Sequence, residues 1–283
     1  MHTVKAALEE LMTSMDRTDA MVIMAEVLGV NRAWILANPM RILTESQDAQ
    51  MDMLGAQRAM GRPVAYLLNR REFYGRDFAL ESSVLIPRPE TETLVEAALA
   101  RMADAYSSTA LRDHGASFLD LGTGSGAIAV TLACQRPEFR GMATDVSDAA
   151  LRVARGNAER HHCAERLEFA KGPWYEAVGD RRFDIIVSNP PYVAAGDPHL
   201  AQGDLRFEPG EALTDGSPDG LGSIRAIVAG ARAHLKNGGW LLLEHGYDQA
   251  GPVGDLLAAA GFSQLVSIPD LAGIPRVAGG KLD

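Results

Sequence analysis

A glycine-rich loop set between two elements of different period limits the possible folds sharply. Phe118-Leu119-Asp120-Leu121 reads as a buried strand, Ala127 to Cys134 reads as a helix, and Gly122-Thr123-Gly124-Ser125-Gly126 stands between them. Glycine takes positive φ without steric penalty, so such a loop can turn a strand directly into a helix and let a ligand approach its backbone. The alternation continues along the chain. A strand over 142–144 ends at Asp145, a helix follows over 148–160, and strands follow at 167–169 and 183–187. A helix over 223–235, the strand Trp240-Leu241-Leu242-Leu243-Glu244, a helix near 253–260 and a strand pair around 265–268 and 276–278 complete the pattern. With a helix over 91–102 ahead of it, this alternation makes an α/β fold, a parallel sheet covered on both faces.

The first part of the chain has another character. From residue 3 to about 61 apolar positions recur at helical spacing: Val4, Leu8 and Leu11, then Val22, Ile23, Val27 and Leu28 before Gly29. Asn31 can cap a short helix. Thr44-Glu45-Ser46-Gln47 has the form of a capping box ahead of a helix that stops at Gly61, with Met51, Met53 and Met60 read as core filling. Val64-Ala65-Tyr66-Leu67-Leu68 then reads as a strand, and Phe73-Tyr74 with Phe78-Ala79-Leu80 as a hairpin about Gly75-Arg76-Asp77. The expected organisation is a helical domain over 1–63, a β-hairpin connector over 64–87 and the α/β domain over 88–283. Residues 193–222, rich in Gly, Pro and Asp, are too many for an ordinary connection and suggest a substrate loop or lid.

The glycine loop favours one class of ligand. Asp145 falls at the end of the second strand, where a carboxylate binds ribose hydroxyls. Gly-x-Gly-x-x-Ala also suits a dinucleotide, which keeps a nicotinamide-dependent oxidoreductase as an alternative. Asp120, however, would repel a pyrophosphate and attract the amino group or sulfonium of a methionine moiety, and no second glycine signature is present. The balance favours S-adenosylmethionine, used either by an enzyme or by a non-catalytic sensor.

A second motif speaks to chemistry. Asn189-Pro190-Pro191-Tyr192 follows the apolar run Phe183-Asp184-Ile185-Ile186-Val187-Ser188, at the end of a strand. Two prolines fix φ near −65° and remove two backbone donors, leaving carbonyls and the Asn189 amide outside any ladder. A rigid turn offering acceptors and an aromatic ring suits a planar NH2 group, as nitrogen methylation of an amide or an exocyclic amine requires.

Charge and cysteine content exclude other classes. A net charge of −10 argues against broad phosphate neutralisation, so direct sequence-specific nucleic-acid binding is not expected. Arg58, Arg62, Arg70, Arg71 and Arg76 face only Glu72 over their stretch, which reads as a solvated helix end or a docking patch. Cys134 and Cys163 form no C-x-x-C pair, the histidines show no metal-ligand spacing, and no apolar run approaches the roughly 18 residues that a membrane span needs. A cytoplasmic protein, with no metal and no membrane association, is expected, with a monomer as the default.

The order Ile86-Pro87-Arg88-Pro89-Glu90-Thr91-Glu92, then Asp120 to Gly126, Asn189 to Tyr192, Asp197-Pro198-His199-Leu200 with Arg206-Phe207-Glu208-Pro209, and Leu243-Glu244-His245-Gly246, resembles the bacterial peptide chain release factor N5-glutamine methyltransferases over nearly the whole chain. The resemblance implies a Rossmann-like class I S-adenosylmethionine-dependent methyltransferase domain behind a small helical domain and a β-hairpin connector. It implies methyl transfer from S-adenosylmethionine, giving S-adenosylhomocysteine, to the glutamine of a Gly-Gly-Gln loop in release factors, modulating translation termination. Asp120, Gly122, Thr123, Gly124, Ser125, Gly126, Asp145, Trp174 and Asn189 would hold the cofactor. Asn189, Pro190, Pro191 and Tyr192 would hold the glutamine, with Asn189, Pro190 and Tyr192 acting in catalysis. Where relatives usually place an Asp before the Trp, this chain has Gly172-Pro173-Trp174, which implies adenine stacking by Trp174 without that carboxylate. Enzymes that methylate glutamine in a ribosomal protein share the Asn-Pro-Pro-Tyr turn but differ at Pro-Arg-Pro-Glu-Thr-Glu. N6-adenine nucleic-acid methyltransferases are a further alternative, and would need a basic channel.

Overall fold

The computed structural model describes residues 2–106 and 115–283. Two compact units are present, Met1–Arg70 with Ala201–Phe207, and Arg71–Leu200 with Glu208–Asp283.

The first unit is built from capped helices, α1 (Val4–Leu11), α2 (Arg17–Leu28), α3 (Arg32–Ala37), α4 (Glu45–Ala59) and α5 (Val64–Leu67). The free N–H groups at the starts of α1 to α4 each find a side-chain acceptor, beginning with Thr3, which accepts from Ala6. Asp16 accepts the Thr18 and Asp19 N–H groups, Asn31 accepts that of Trp34, and Thr44 and Gln47 close a reciprocal capping box. Gly29, at φ +63°, ends α2 in the left-handed conformation. Val4, Ile23, Met24, Ile35 and Met51 pack the core, whereas Met53 on α4 and Met60 just past its end stay exposed, so of these three methionines Met51 alone fills the interior as expected. The expected strand over 64–68 is instead the single helical turn α5. A short unbroken apolar run does not distinguish the two by periodicity, and the Pro63 carbonyl accepts from both Tyr66 and Leu67 to start the turn. Two arginines of the basic stretch are paired within this unit. Arg58 pairs with Asp19 at 2.8 Å and Asp204 at 2.9 Å, and Arg70 pairs with Glu26. Arg206 donates to the Met60 carbonyl at 3.1 Å, lying over Gly61 where a Cβ would meet its guanidinium at 1.9 Å.

In the second unit β1 (Arg70–Phe73) and β2 (Arg76–Ala79) form a hairpin through Tyr74 (φ +52°) and Gly75 (φ +70°), two successive positive φ values that match a type I′ turn. Phe73 and Phe78 meet edge to face, with ring centroids 6.0 Å apart. The other elements are α6 (Thr91–Tyr106), β3 (Ala116–Leu121), α7 (Ala127–Gln135), β4 (Phe139–Asp145), α8 (Asp148–Arg160), β5 (Leu167–Lys171), β6 (Phe183–Ser188), α9 (Gly210–Leu213), α10 (Gly222–His234), β7 (Leu235–Glu244), α11 (Ala250–Ala259), β8 (Ser263–Pro269) and β9 (Pro275–Lys281). Among the described residues seven strands form one sheet, in the order β5-β4-β3-β6-β7-β9-β8. Its first five strands are parallel, and the pairings β7–β9 and β9–β8 are antiparallel, so that β9 runs against the rest.

Alternation along each strand divides the core. Phe118, Ile185, Val187 and Leu242 join one cluster with Leu94, Met102 and Val130. Leu119, Leu121, Ile186 and Leu243 join the other, with Ile224, Ile227 and Leu257. The chain runs outward from β3 to β5, then returns to β6 on the other side of β3. That reversal opens a crevice at the carboxyl ends of β3 and β6, the position at which open α/β sheets bind ligands.

Candidate active site

Strand register brings the separated motifs side by side. Leu121 pairs with Thr144 on one side and with Ser188 on the other, and Ser188 pairs with Leu243. Asp145, Gly122, Asn189 and Glu244 therefore stand in one row at the carboxyl ends of β4, β3, β6 and β7. Ser188 Oγ donates to the Leu121 carbonyl at 2.7 Å and fixes the middle of that row.

A cavity of about 450 Å³ opens above it. Of the residues expected to act, Gly122, Gly124, Asp145, Trp174, Asn189 and Pro191 line it. The loop glycines adopt φ of +71° at Gly122, +55° at Gly124 and +80° at Gly126. Gly124 has open space where a Cβ would stand. Asp145 accepts the Gly124 N–H and the Ser147 N–H, each at 2.9 Å. Burial raises its pKa against those hydrogen bonds and that of Val146, and the charge of Glu211 adds to the rise. Trp174 holds φ +45°, a strained value for a non-glycine residue, and its carbonyl accepts from Thr144 Oγ1 at 3.3 Å. Its ring edge would lie 3.7 Å from a Cβ on Gly122.

Asp120, Thr123, Ser125 and Gly126 are not among the lining residues. Asp120 is buried; Oδ2 accepts from Thr123 Oγ1 at 2.7 Å, while Oδ1 has no hydrogen-bond partner. Burial pushes this carboxyl up to about 7, with the Thr123 hydroxyl and Ala129 N–H pulling it down and Asp145 adding to the rise. At the other edge Asn189 Nδ2 donates to Thr91 Oγ1 at 3.2 Å, leaving Oδ1 as the acceptor available on a side chain that lines the cavity. Pro190 is buried. Tyr192 packs its ring into the core and donates its hydroxyl to Glu244 Oε1 at 3.1 Å.

Sequence reasoning left part of the lining unnamed. Ser83, Val84 and Leu85 contribute one wall, and Pro209, Glu211, Thr214 and Asp215 another. The second group belongs to the long loop whose length had marked it. It is anchored by Glu208, which accepts from the Ile86 N–H at 2.9 Å and pairs with Arg88, so two motifs far apart in sequence prove to be one contact. With Asp145, Glu211 and Asp215 the described lining carries three carboxylates and no lysine or arginine. Such a wall admits a cation and repels phosphate.

The family described as the Methyltransferase small domain matches residues 104–205, and the PrmC N-terminal domain matches residues 1–68. A protein of Xylella fastidiosa named release factor glutamine methyltransferase is 47% identical over 268 residues, covering 94% of this chain and 93% of its own. The chain belongs to the release factor glutamine methyltransferase family. Members of that name from Burkholderia pseudomallei, at 49% identity over 95% of this chain and 93% of theirs, and Neisseria gonorrhoeae, at 47% over 95% of each, agree with it. As a member of this family the chain is a methyltransferase. Among solved structures it is similar to the hMettl16 catalytic domain in complex with MAT2A 3'UTR hairpin 6, with a TM-score of 0.54 at 18% identity over 81% of this chain and 82% of that one. It is also similar to the T. thermophilus 16S rRNA N2 G1207 methyltransferase in complex with AdoMet and guanosine, with a TM-score of 0.51 at 21% identity over 76% and 50%. At these identities the likeness is one of fold, the Rossmann-like methyltransferase fold. No helix among the described residues is long and apolar enough to cross a membrane.

Proposed function

We propose that the chain transfers a methyl group from S-adenosylmethionine to the side-chain amide nitrogen of the glutamine in the Gly-Gly-Gln loop of peptide chain release factors, in the cytoplasm. The observation that carries this reading is the acidic, lysine- and arginine-free cavity with Asn189 at its edge, in a chain whose relatives bear the release factor name. A cofactor with two positive centres fits the residues present. Asp145 and Glu211 face the cavity, Gly124 leaves room against the loop, and the unpartnered Oδ1 of Asp120 puts a further acceptor below it. Gly122 to Gly126 would hold the methionine end, Asp145 the ribose hydroxyls and Trp174 the adenine face. When bound, the cofactor supplies a methyl carbon that its sulfonium has already made electrophilic.

The protein's part is orientation. An amide nitrogen delocalises its lone pair into the carbonyl and is a poor nucleophile, so a near-attack geometry has to be imposed. Asn189 Oδ1 and the Pro190 carbonyl each accept one N–H of the glutamine amide, turning the nitrogen toward the cofactor and stabilising positive charge as it builds there. No side chain need titrate for this, and the proton leaves to water after transfer. Pro191 holds the turn rigid. The helical unit exposes Leu36, Met40 and Ile42 and adds docking surface for a protein partner.

The test is incubation with labelled S-adenosylmethionine and either a release factor or DNA, followed by mass spectrometry. The expected product is a methylated Gly-Gly-Gln peptide, with Asn189→Ala lowering kcat more than about tenfold. Methylated adenine with an unmodified peptide, or wild-type turnover by Asn189→Ala, would overturn the assignment.

A further inference from the structure

The turn Asn189 to Tyr192 is held at its far end by a side chain from another part of the fold. Gln249, buried and directly ahead of α11, accepts the Gly246 N–H through Oε1 at 2.8 Å. Its Nε2 donates to the Tyr192 carbonyl and to the Asp219 carbonyl, each at 3.0 Å. A primary amide has two protons to give, and both are taken. Its orientation is thereby settled, because reversal would set its oxygen against two carbonyls and its NH2 against an N–H. Val253 and Leu257, fully buried on α11, root this clamp in the core.

The two carbonyls belong to different sides of the site. Tyr192 ends the turn that sets Asn189 at the cavity edge. Asp219 lies between Asp215 and Ser223, which both line the cavity and are joined by the bond from the Ser223 N–H to Asp215 Oδ2. Beyond Tyr192 the chain runs along this wall, with the Val193 N–H donating to the Leu213 carbonyl at 2.9 Å and that of Ala195 to the Ser217 carbonyl at 2.8 Å. Gly220 lets the two backbones meet. At φ +67°, a Cβ on it would stand 2.1 Å from the Tyr192 carbonyl oxygen. We infer that Gln249 is a positioning residue for methyl transfer, the clamp that locks the turn carrying Asn189 to the cavity wall over 209–215. This inference rests on the proposed role of Asn189 as an acceptor for the glutamine amide. The joint needs two donors and one acceptor on a single planar group at this reach, and asparagine, with the same donor set, is a methylene shorter. Without the clamp two carbonyls lose their donor and the turn can shift against the wall, a movement that a near-attack geometry does not tolerate.

Gln249→Met keeps the length and bulk of the side chain and removes all three bonds. The expected result is a fall in kcat of about tenfold or more toward the release factor, with the S-adenosylmethionine dissociation constant changed by less than about threefold, since the glycine loop and Asp145 stand at the ends of β3 and β4. A side chain that only filled space would be replaced by methionine without that split. Gly220→Ala reaches the same joint from the wall, leaving Gln249 in place, and should lower kcat in the same way. Wild-type kcat in either variant would overturn the inference; if Gln249→Met fails to fold, Gly220→Ala decides. A second readout needs no methyl transfer. Hydrogen exchange followed by mass spectrometry should show the Val193 and Ala195 amides exchanging about tenfold faster or more in both variants, with β6 and β7 unchanged. Unmoved exchange would sink the inference even if the release factor is methylated. A wild-type protein inactive on release factor would instead remove the proposed function and leave the exchange readout standing.

Discussion

Replacing Gly126 and Gly124 by alanine, one at a time, should separate the structural and ligand-binding duties of the glycine loop. Gly126 adopts φ +80°, and a Cβ there would stand 3.1 Å from both Cα and Cβ of Ala154 on α8 and 3.4 Å from Val130 Cγ2. An alanine pays about 1–2 kcal/mol for left-handed backbone and about 1–3 kcal/mol for pushing into a packed core whose nearest atoms include backbone. In a unit of this size a loss of about 2–5 kcal/mol lowers Tm by roughly 5–15 °C. Gly124 adopts φ +55° with nothing within 4 Å of its would-be Cβ, so only the backbone cost applies, and the drop should be roughly 2–6 °C. Its new methyl, however, enters the cavity that Gly124 lines. Calorimetric unfolding should rank Gly126→Ala as the less stable variant. Titration of S-adenosylmethionine should rank Gly124→Ala as the weaker binder. Equal Tm losses would refute the packing argument, and unchanged affinity in Gly124→Ala would refute the placement of the ligand against the loop.

Asp120→Asn should flatten the dependence of stability on pH. The folded carboxyl is raised to about 7 from an ordinary 3.8, so the folded state binds the proton more tightly and wild-type stability falls as pH rises from about 4 to 7. The variant should gain up to about 4 kcal/mol at pH 8 and little at pH 4, measured by urea unfolding, with a residual slope of the same sign from Glu244, which burial raises to about 7. Parallel curves for variant and wild type would defeat the reasoning. Asp145→Ala should weaken S-adenosylmethionine binding at least tenfold by calorimetry, since it removes both a lining carboxylate and the acceptor for the Gly124 N–H; an unaltered constant counts against the ribose role. Arg58→Ala removes partners of Asp19 and Asp204 that are partly exposed, so global stability should change by no more than about 1 kcal/mol. Trypsin cleavage after Arg206 should nevertheless accelerate several-fold, and an unchanged rate would mean that Arg58 does not hold the segment 201–207 to its unit.

What could be read from the sequence was what local backbone chemistry decides. The loop Gly122 to Gly126, the caps at Asn31 and Thr44 and the end of α2 at Gly29 each follow from residues within a few positions of one another. What was missed had two different causes. Val64 to Leu67 is equally apolar as strand or helix, and the bonds to the Pro63 carbonyl select the helical turn. The pairing of Arg58 and Arg70 was hidden because Asp19, Glu26 and Asp204 lie tens of residues or more away in sequence. Glu244 drew attention only as part of a motif. Nothing near it in sequence tells of Tyr192.

A methyl donor that arrives already charged leaves the enzyme a problem of geometry, and an error of about an ångström in a near-attack arrangement is enough to lose most of the rate. The contacts around Ile86 to Glu92 answer that requirement. Glu208 accepts from the Ile86 N–H and pairs with Arg88, while Glu92 accepts from the Tyr74 N–H at 2.9 Å, so the segment is tied on both sides of Thr91. Thr91 in turn meets Asn189, whose backbone position is fixed by two prolines on one side and by the Ser188 bond to Leu121 on the other. Orientation is thus set by groups that are buried, paired or ring-constrained, and none of them changes charge during the reaction. Two acidic groups raised to about 7, Asp120 and Glu244, flank the reacting region from below, where their partly unsatisfied oxygens make the folded state less stable than a neutral pair would. Retaining Asp120 at that cost is reasonable if a cationic ligand draws its carboxyl back to the charged form.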